Sequence, residues 1–260
     1  MSQVLKCYPT FSQPYLVEAD DGELYVLKHS AAAAELEMLA GEYIATKVGV
    51  LTCTPVLDCA LIEVDQESIE YFENCPERNN CVVPNPGIYF ASRYLDGLPA
   101  ASYDMQFLFD SRTTVLNRMR ATSAMAYDTL FQNADGHPGN ILIVFPNTNK
   151  QTEFNVYLID QGHIFLGPGW PALANPSMWN IYTGRANFYK STLADIRSFL
   201  PQLSTDYAGI NPTTFAQIAS NIPASWGIQK SRVDEIENYL MARIPLITNA
   251  VDGYLTAQGF

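Results

Sequence analysis

The sequence predicts an α+β fold in which a small β-rich lobe with one main helix precedes a larger, mostly helical lobe. Runs of strand-forming residues lie before residue 96, whereas most later segments have helical spacing of apolar residues. The turn residues 96-DGLP-99 separate the two regions. A chain of 260 residues is long enough for two lobes around a shared cleft. We therefore predict an N-lobe over residues 1–92 and a C-lobe over residues 93–260.

The predicted N-lobe contains five strands and one helix. The turn signal 20-DDG-22 precedes the third strand. The polar segment 66–87 carries several Asn and Pro residues, so we expect a long loop or an insertion there. The helix has apolar residues at helical spacing on one face, namely Leu36, Leu39, Tyr43, Ile44 and Val48. The predicted elements are strands at 4–7, 15–18, 24–28, 56–64 and 88–95 and a helix at 31–48.

The predicted C-lobe begins with a short helix near 103–109. A longer helix over 112–131 follows, and Asp110 or Ser111 can cap it. Polar turn residues then separate two apolar strands, which suits a hairpin. These strands are predicted at 141–145 and 155–159.

The rest of the C-lobe is predicted to be helical in patches. Asn211 before Pro212 is typical of a helix start, because Asn caps and Pro suits the first helical position. Ser231 with Asp234 imitates a capping box ahead of another apolar helical face. The segment 166–210 holds Gly, Pro and aromatic residues and has no assigned role.

Composition and charge narrow the classes of partner. Hydrophobic residues make up 48% of the chain and charged residues only 16%, which favours a folded protein with a sizeable core. The formal net charge is −12 without a Lys/Arg cluster, so we expect no nucleic-acid partner. The sequence has neither a bilayer-spanning apolar run nor a signal-peptide pattern, so the expected location is cytoplasmic.

All five cysteines lie in the first third of the chain. An odd number without a signal sequence favours free thiols. The alternative is a zinc site made of two cysteine pairs, 53 with 59 and 75 with 81. Neither pair has the two-residue gap of common structural zinc sites. The cysteines are Cys7, Cys53, Cys59, Cys75 and Cys81, and the conceivable zinc pairs are Cys53 with Cys59 and Cys75 with Cys81.

Two polar segments interrupt the apolar sequence of the C-lobe, 133-NADGHPGN-140 and 157-YLIDQGHIF-165. Either alone has a structural explanation, since Asp-Gly turns are common and an Asp at a strand end often caps a helix. Together they place an Asp and an Asn five residues apart, then a hairpin, then a second Asp. A His-plus-Asp metal site for hydrolysis is a further alternative.

The first segment, 133-NADGHPGN-140, resembles the catalytic loop N-x-D-x-H-x-x-N of HipA-like kinases, within the protein-kinase-like superfamily. Together, the two segments are also similar to the D-R-H-x-x-N and I-D-F-G-H segments of phosphatidylinositol 3- and 4-kinases. The resemblance extends over residues 4–165 and implies a bilobal protein-kinase-like fold that uses ATP and Mg²⁺. It implies that Asp135 accepts or orients the substrate hydroxyl, and that Asn140 and Asp160 bind magnesium. Oxygen ligands of this kind suit magnesium better than zinc.

The resemblance also assigns the nucleotide side of the cleft. Lys28 closes an apolar strand, as the lysine that pairs with ATP phosphates and with a helix glutamate does in kinases. Glu42 is the predicted partner, and Glu35 and Glu37 on the same helix are rivals. The alternative, without a functional role, is that Lys28 is a surface residue on an edge strand.

The sequence departs from the kinase pattern in two places. The segment 8-YPTFSQP-14, where kinases have a glycine-rich loop, contains no glycine. Its Ser12 is the expected phosphate contact, by analogy with the serine-bearing loops of atypical kinases; otherwise 8–14 is only a turn. Gln161 replaces the Phe of D-F-G, which removes any switch based on that Phe. Asn133, His137 and His163 are expected to brace the loops.

The hinge, which joins the two predicted lobes at residues 92–95, should contact adenine through backbone groups of Ser92, Tyr94 and Leu95.

The predicted function is an ATP- and magnesium-dependent kinase that phosphorylates Ser or Thr on an unknown protein. Alternatives are a lipid or small-molecule kinase, a nucleotide-binding pseudokinase and an AMP-transferring module. Short HipA-like proteins sometimes belong to toxin–antitoxin systems, but the sequence contains no readable contact for an antitoxin partner.

Overall fold

The computed structural model describes residues 1–10, 12–29, 33–78, 81–102, 113–147, 152–181 and 193–259. It has the predicted α+β class, with a β-rich first part and a helical second part. The N-lobe contains one antiparallel sheet in the order β1-β2-β3-β5-β4. Its elements are β1 (Gln3–Cys7), β2 (Tyr15–Glu18), β3 (Leu24–Lys28), α1 (Ala33–Leu51), β4 (Cys59–Val64), α2 (Ile69–Glu73) and β5 (Gly87–Arg93).

The two faces of this sheet have different partners, because side chains alternate along each strand. Lys28 lies opposite Phe90 in the β3–β5 register, on the face that meets α1. Tyr15 lies opposite Cys7 and Leu27 on the other face, and all three are fully buried. The ring of Phe72 in α2 packs edge-on against Tyr15, with centroids 4.9 Å apart. The segment between β4 and β5 (65–86), which we call the insertion, therefore covers the face opposite Lys28.

The insertion differs from the sequence-based expectation in one respect. We expected 66–87 to be a long loop or an insertion, and it contains the short helix α2, which the sequence did not predict. Asp65 accepts hydrogen bonds from the backbone N and the Oγ of Ser68, at 2.7 and 2.6 Å, and so begins the turn before the helix. The aromatic Phe72 buries its side chain completely, which explains why a mostly polar segment forms ordered structure.

The C-lobe begins with a small sheet in the order β6-β8-β9-β7 and continues with helices. Its elements are β6 (Leu98–Pro99), β7 (Thr114–Val115), α3 (Arg118–Thr122), α4 (Ala124–Phe131), β8 (Ile141–Val144), β9 (Glu153–Leu158), α5 (Leu193–Ala208), α6 (Pro212–Ala219), α7 (Lys230–Arg243) and α8 (Ile247–Ala257). Strands β8 and β9 pair antiparallel, as predicted for the hairpin. Within the described ranges, no helix combines the length and the apolar character that crossing a bilayer requires.

The single helix predicted over 112–131 is wrong. Thr114–Val115 instead forms a parallel pair with β9, and the helical part is divided into α3 and α4. The side chain of Asn117 explains the late start, because it both donates to and accepts from the backbone of Val156 at 2.7 and 3.0 Å. The predicted helix at 103–109 and the caps Asp110 and Ser111 lie outside the described residues.

Of the two later helix starts, one is confirmed. Asn211 caps α6 by accepting a hydrogen bond from the backbone N of Thr214 at 3.1 Å. The capping box of Ser231 and Asp234 is wrong, because α7 begins at Lys230 with Gln229 in the cap position. The Asp234 carboxylate instead pairs with Lys230 one turn away, at 2.8 Å.

The segment between α1 and β4 connects the two lobes. The backbone N of Leu158 donates to the carbonyl of Pro55 at 2.7 Å. Arg120 of α3 donates to the carbonyls of Cys53 and Thr54 at 2.9 and 3.0 Å. The end of α1 is thus joined to the strand that leads into the second polar segment. The boundary at residues 92 and 93 stays a prediction; β5 ends at Arg93.

The expectation of free thiols is wrong for two cysteines. Cys7 and Cys81 form a disulfide across 74 residues of sequence, whereas Cys53, Cys59 and Cys75 are free. Sequence spacing could not reveal a pair that only the insertion brings together. A zinc site that uses Cys81 is incompatible with this bond, and the described residues contain no cluster of three or more metal-binding His, Cys, Asp or Glu side chains.

Candidate active site

Lys28 lies at the centre of a charged cluster between the two lobes. Its Nζ donates to both carboxylate oxygens of Glu42 at 2.8 Å and to Oδ1 of Asp160 at 2.8 Å. The Lys28 side chain is 14% exposed and that of Glu42 is 5% exposed. The surface-lysine interpretation is therefore wrong. Glu42 is the partner, whereas Glu37 lies 3.9 Å from Arg232, and the side chain of Glu35 is outside the described part.

Each charge in the cluster alters the others. Burial alone would lower the pKa of Lys28, but the carboxylates of Asp160 and Glu42 outweigh it and raise that pKa. Lys28 in turn lowers the pKa of Asp160 below its usual range. Burial raises the pKa of Glu42, and Lys28 opposes this shift. Lys28 and Asp160 are therefore held in their charged forms near neutral pH.

Asp160 adopts a backbone conformation that is unusual for a residue other than glycine. Its φ of 58° lies in the left-handed region. Such conformations cost free energy and persist where surrounding contacts impose them, often at functional sites. Here the ion pair with Lys28 holds the carboxylate, which remains 41% exposed in the cleft.

The first polar segment is held together by its own side chains. Helix α4 ends at Phe131, and the left-handed conformation of the next residue, Gln132, turns the chain into the segment. The Asn133 Oδ1 accepts from the backbone N of Asp135 at 3.1 Å. The Asn140 Nδ2 donates to the Asp135 carbonyl at 2.9 Å and to Asp135 Oδ2 at 3.0 Å. The Asp and Asn five residues apart are therefore in direct contact.

His137 braces this segment, as expected. Its Nδ1 accepts from the backbone N of Gly139 at 3.0 Å and so caps the short 3₁₀ turn over Pro138–Asn140. Its Nε2 is 3.6 Å from Asp135 Oδ1. A β-carbon added at Gly139 would come within 2.6 Å of the His137 ring, so any other residue here would displace the ring from this position.

The β8–β9 hairpin brings the two polar segments side by side. Ile141 pairs with Leu158, which aligns the residues just before β8 with those just after β9. The backbone N of Ile159 then donates to the carbonyl of Asn140 at 3.1 Å. Asn140 is therefore hydrogen-bonded to the residue that immediately precedes Asp160.

Gln161 links the two lobes in place of the expected Phe. Its backbone N donates to Glu42 Oε1 at 3.3 Å, and its side-chain Oε1 accepts from Asn133 Nδ2 at 3.1 Å. The side chain is buried, with 2% exposure for the residue. A continuous chain of hydrogen bonds thus runs from Glu42 through Gln161 and Asn133 to Asp135.

The 8–14 turn is closed by backbone hydrogen bonds from Tyr8 N to the Pro14 carbonyl at 2.9 Å and from Gln13 N to the Thr10 carbonyl at 3.2 Å. Gln13 supplies the left-handed conformation, with a φ of 45°, that a glycine usually provides. Ser12 is exposed at the tip, and within the described part no hydrogen bond connects it to Lys28 or Asp160.

The hinge residues follow β5. Ser92 lies opposite Val26, and therefore on the sheet face that carries Lys28. The backbone N of Tyr94 donates to the Leu24 carbonyl at 2.8 Å, so this donor is already used within the sheet. Leu95 follows directly. Burial raises the pKa of Tyr8, and the nearby Tyr94, Glu77 and Asp96 add to this shift, so the 8–14 turn begins close to the hinge.

Two buried charged residues that support α4 and the first polar segment were missed in the sequence. Asp128 in α4 is buried and accepts from Asn133 Nδ2 at 3.4 Å. Arg243 in α7 is buried and donates to the carbonyls of Thr129, Pro176 and Met178 at 2.9, 3.1 and 2.6 Å. Asp128 could have been found in the sequence, as a carboxylate five residues before Asn133. Arg243 gave none, because its partners are backbone groups far away in sequence.

The donor set fits a magnesium ion. Because Asn140 uses its amide nitrogen toward Asp135, its side-chain oxygen is directed away from that residue. Asp160 adds a carboxylate that is partly exposed in the cleft. Magnesium is usually held by one or two carboxylates together with substrate phosphates, so two neighbouring oxygen-bearing side chains are an adequate protein contribution.

Comparisons with known proteins agree with this geometry. A family model described as HipA-like kinase matches residues 4–168. The crystal structure of a Helicobacter pylori proinflammatory kinase, CtkA, has a similar fold, with a TM-score of 0.54 and 12% sequence identity over 96% of this chain and 97% of that chain. At this identity the likeness shows the fold alone, and it confirms the kinase-like bilobal architecture. No curated protein matches the sequence.

Proposed function

The chain belongs to the HipA-like kinase family, and from this premise we propose that it transfers phosphate from ATP to a Ser or Thr hydroxyl of a protein. Family membership supports phosphotransferase activity in general. The observation that carries the proposal is the contact between Lys28, Glu42 and Asp160 beside the paired Asp135 and Asn140.

On the nucleotide side, Lys28 holds the phosphates and Glu42 positions Lys28. Lys28 can exchange part of its contact with Asp160 for phosphate oxygens, because the bidentate contact with Glu42 keeps the ammonium group in place. Backbone groups at Ser92, Tyr94 and Leu95 contact adenine, with Tyr94 contributing its carbonyl. Ser12 contacts the phosphates from the 8–14 turn.

On the acceptor side, Asp135 accepts or orients the hydroxyl that attacks the phosphate. Asn140 donates to Asp135 and so fixes the carboxylate toward one direction. Asn140 and Asp160 would together hold magnesium, which would neutralise phosphate charge. Asn133 and Gln161 keep this arrangement aligned with Glu42.

The test is intact-mass analysis of the protein and of candidate acceptors after incubation with ATP and Mg²⁺. We expect the mass of a phosphoryl group on a protein Ser or Thr. An adduct with the mass of AMP would contradict phosphate transfer, and label found only on lipids or small molecules would contradict a protein acceptor. No adduct on any acceptor, together with intact nucleotide binding, would indicate a pseudokinase.

Two variants separate chemistry from binding. Asp135→Ala should abolish transfer and leave nucleotide binding largely intact, whereas Asp160→Ala should weaken magnesium-dependent nucleotide binding. Asp234→Asn, on the exposed face of α7, is the matched control and should behave like the wild type. Full activity of Asp135→Ala would refute the mechanism.

The proposed compartment is the cytoplasm, where ATP is available. The proposed partners are ATP and a protein acceptor, without nucleic acid, since the chain is acidic. An antitoxin-type partner of the family has no recognisable contact surface in the described residues.

A further inference from the structure

The disulfide fastens the insertion to the 8–14 turn. Cys7 is the last residue of β1 and directly precedes that turn, and Cys81 belongs to the insertion. The two Cα atoms are 6.5 Å apart, which is within the range of a normal disulfide. Three hydrogen bonds attach the insertion to this turn and to the residues on either side of it. They run from Val82 N to Gln13 Oε1, from Cys7 N to the Glu77 carbonyl and from Tyr15 Oη to the Val82 carbonyl, at 2.8, 3.1 and 3.1 Å.

Gln13 connects the insertion to the end of strand β3, where Lys28 lies. Its side chain contacts the insertion, whereas its carbonyl lies 3.1 Å from Nε2 of His29. His29 immediately follows Lys28 in sequence. The insertion, the 8–14 turn and the end of β3 therefore form one connected unit, and the disulfide is its covalent link.

We propose that the Cys7–Cys81 disulfide is a redox-modification site whose state sets the affinity of the active site for nucleotide. This inference rests on the proposed function, because it requires that the 8–14 turn contacts the phosphates. A turn without glycine gains its conformation from neighbouring contacts. When the insertion holds it, less conformational entropy is lost on binding nucleotide, so the oxidised protein binds more tightly.

The switching reaction is a two-electron thiol–disulfide exchange with a dithiol reductant. One thiolate of the reductant attacks a sulfur of the disulfide, the S–S bond breaks, and a mixed disulfide forms while one cysteine leaves. The second thiolate of the reductant then displaces the other cysteine. The reductant becomes a disulfide, and its two thiol protons end on Cys7 and Cys81.

Burial of the bond makes this exchange dependent on local opening. Cys7 and Cys81 are 0% and 5% exposed, so a reductant reaches the sulfurs only when the insertion separates from the sheet. Val82 next to Cys81 is 60% exposed, so the outer edge of the insertion lies at the surface where opening can begin.

The experiment first counts free thiols. Alkylation of the denatured protein, purified without reductant, should label three of the five cysteines, and labelling after reduction should reach all five. Five labelled thiols before reduction would show that the bond does not form and would overturn the proposal.

The second step is titration of the folded protein with a fluorescent ATP analogue and Mg²⁺, before and after dithiothreitol. Reduction should weaken binding roughly tenfold, a usual size for coupling between two sites. The double variant Cys7→Ser/Cys81→Ser should bind like the reduced protein and be insensitive to dithiothreitol. Cys53→Ser, which changes an exposed free thiol outside the insertion, should keep the wild-type response.

A third variant tests the coupling without altering any sulfur. Gln13→Ala keeps the thiol count but removes the hydrogen bond to Val82, so it should reproduce part of the weakening. Equal affinity in the oxidised and reduced wild type would overturn the inference alone. Absence of nucleotide binding in both states would overturn the proposed function, and the inference with it.

Discussion

The acceptor side and the phosphate side of the cleft are held by different kinds of contact. On the acceptor side, Asn133, Asp135 and Asn140 are bonded to one another within eight residues of sequence, and Gln161 joins them from the adjacent hairpin. On the phosphate side, backbone hydrogen bonds close the 8–14 turn, but the turn and the flanking residue Cys7 are also attached to Glu77, Cys81 and Val82, about 70 residues away. A site whose contacts are local keeps its geometry by itself, whereas one held from a distance can be changed by whatever moves its support.

The largest effect should come from the group shared by both sides. Glu42→Ala removes one partner of the buried Lys28 pair and one acceptor of Gln161. We expect a loss of about 3 kcal/mol in unfolding free energy, because the buried Lys28 ammonium group loses two charge-assisted hydrogen bonds and keeps only Asp160 as a counter-charge. Urea denaturation measures this, and nucleotide titration should show weaker binding.

The matched control is Glu37→Ala on the same helix. Glu37 faces Arg232 at 3.9 Å, so its loss should change unfolding by under about 1 kcal/mol. If both variants lose the same stability, Glu42 has no special role in holding Lys28.

A smaller effect is expected from Gln161→Leu. This change leaves Asn133 Nδ2 without its Gln161 acceptor in a buried position, at a cost of about 1–3 kcal/mol. Because the Gln161 backbone contact with Glu42 remains, ATP affinity should change little while the transfer rate falls. Steady-state kinetics with varied ATP concentration separates ATP affinity from the transfer rate. The control is Gln202→Leu at an exposed position of α5. A change in KM for ATP with an unchanged rate would contradict the proposed connection to Asp135.

The phosphate side should respond less to a single side chain. Ser12→Ala removes one hydroxyl from the exposed tip of the turn, and loss of one hydrogen bond costs about 0.5–1.5 kcal/mol, or up to roughly tenfold in affinity. Titration with an ATP analogue measures this, with Ser220→Ala at the end of α6 as the control. Unchanged affinity would mean that backbone groups of the turn make the phosphate contact.

The smallest effect concerns pH. Since Lys28 lowers the pKa of Asp160, the stabilisation from this pair is complete above the unfolded-state pKa of Asp and is lost as pH falls through the lower folded-state pKa. The pair should therefore contribute a constant amount over about pH 5–8. Melting temperatures of wild type and Asp160→Asn should run parallel over this range and converge in acid. A difference that changes between pH 6 and 8 would show that another group titrates with the pair.

Much of the framework was predictable because it depends on local pattern. Strands β1, β2 and β3, helix α1 and the β8–β9 hairpin occur close to where the residue periodicity placed them. The resemblance to HipA-like kinases over 4–165 is confirmed by the family match over 4–168. Lys28 contacts Glu42, as the resemblance implied, whereas the direct contact of Asp135 with Asn140 was not predicted. The roles of these residues stay predictions.

The errors share a physical cause. Helical propensity over 112–131 was overridden by pairing of β7 with β9 and by the Asn117 contacts with Val156. The disulfide, the insertion helix and the Arg243 contacts depend on residues separated by dozens of positions, which periodicity cannot reveal. The Gln161 bridge was invisible for a different reason. The resemblance marked it as the loss of a Phe, whereas its polar groups join two lobes.

The insertion has a consequence for anyone who shortens this protein. The insertion could be mistaken for a dispensable segment, since it is polar and lies on the sheet face opposite Lys28. Yet Phe72 and its neighbours cover the sheet face formed by Tyr15, Val17 and Leu27, all fully buried. Cutting the segment out would uncover a continuous apolar surface, of the kind that causes aggregation. A minimal enzyme must therefore keep this segment or replace the covered aromatic and aliphatic side chains with polar ones.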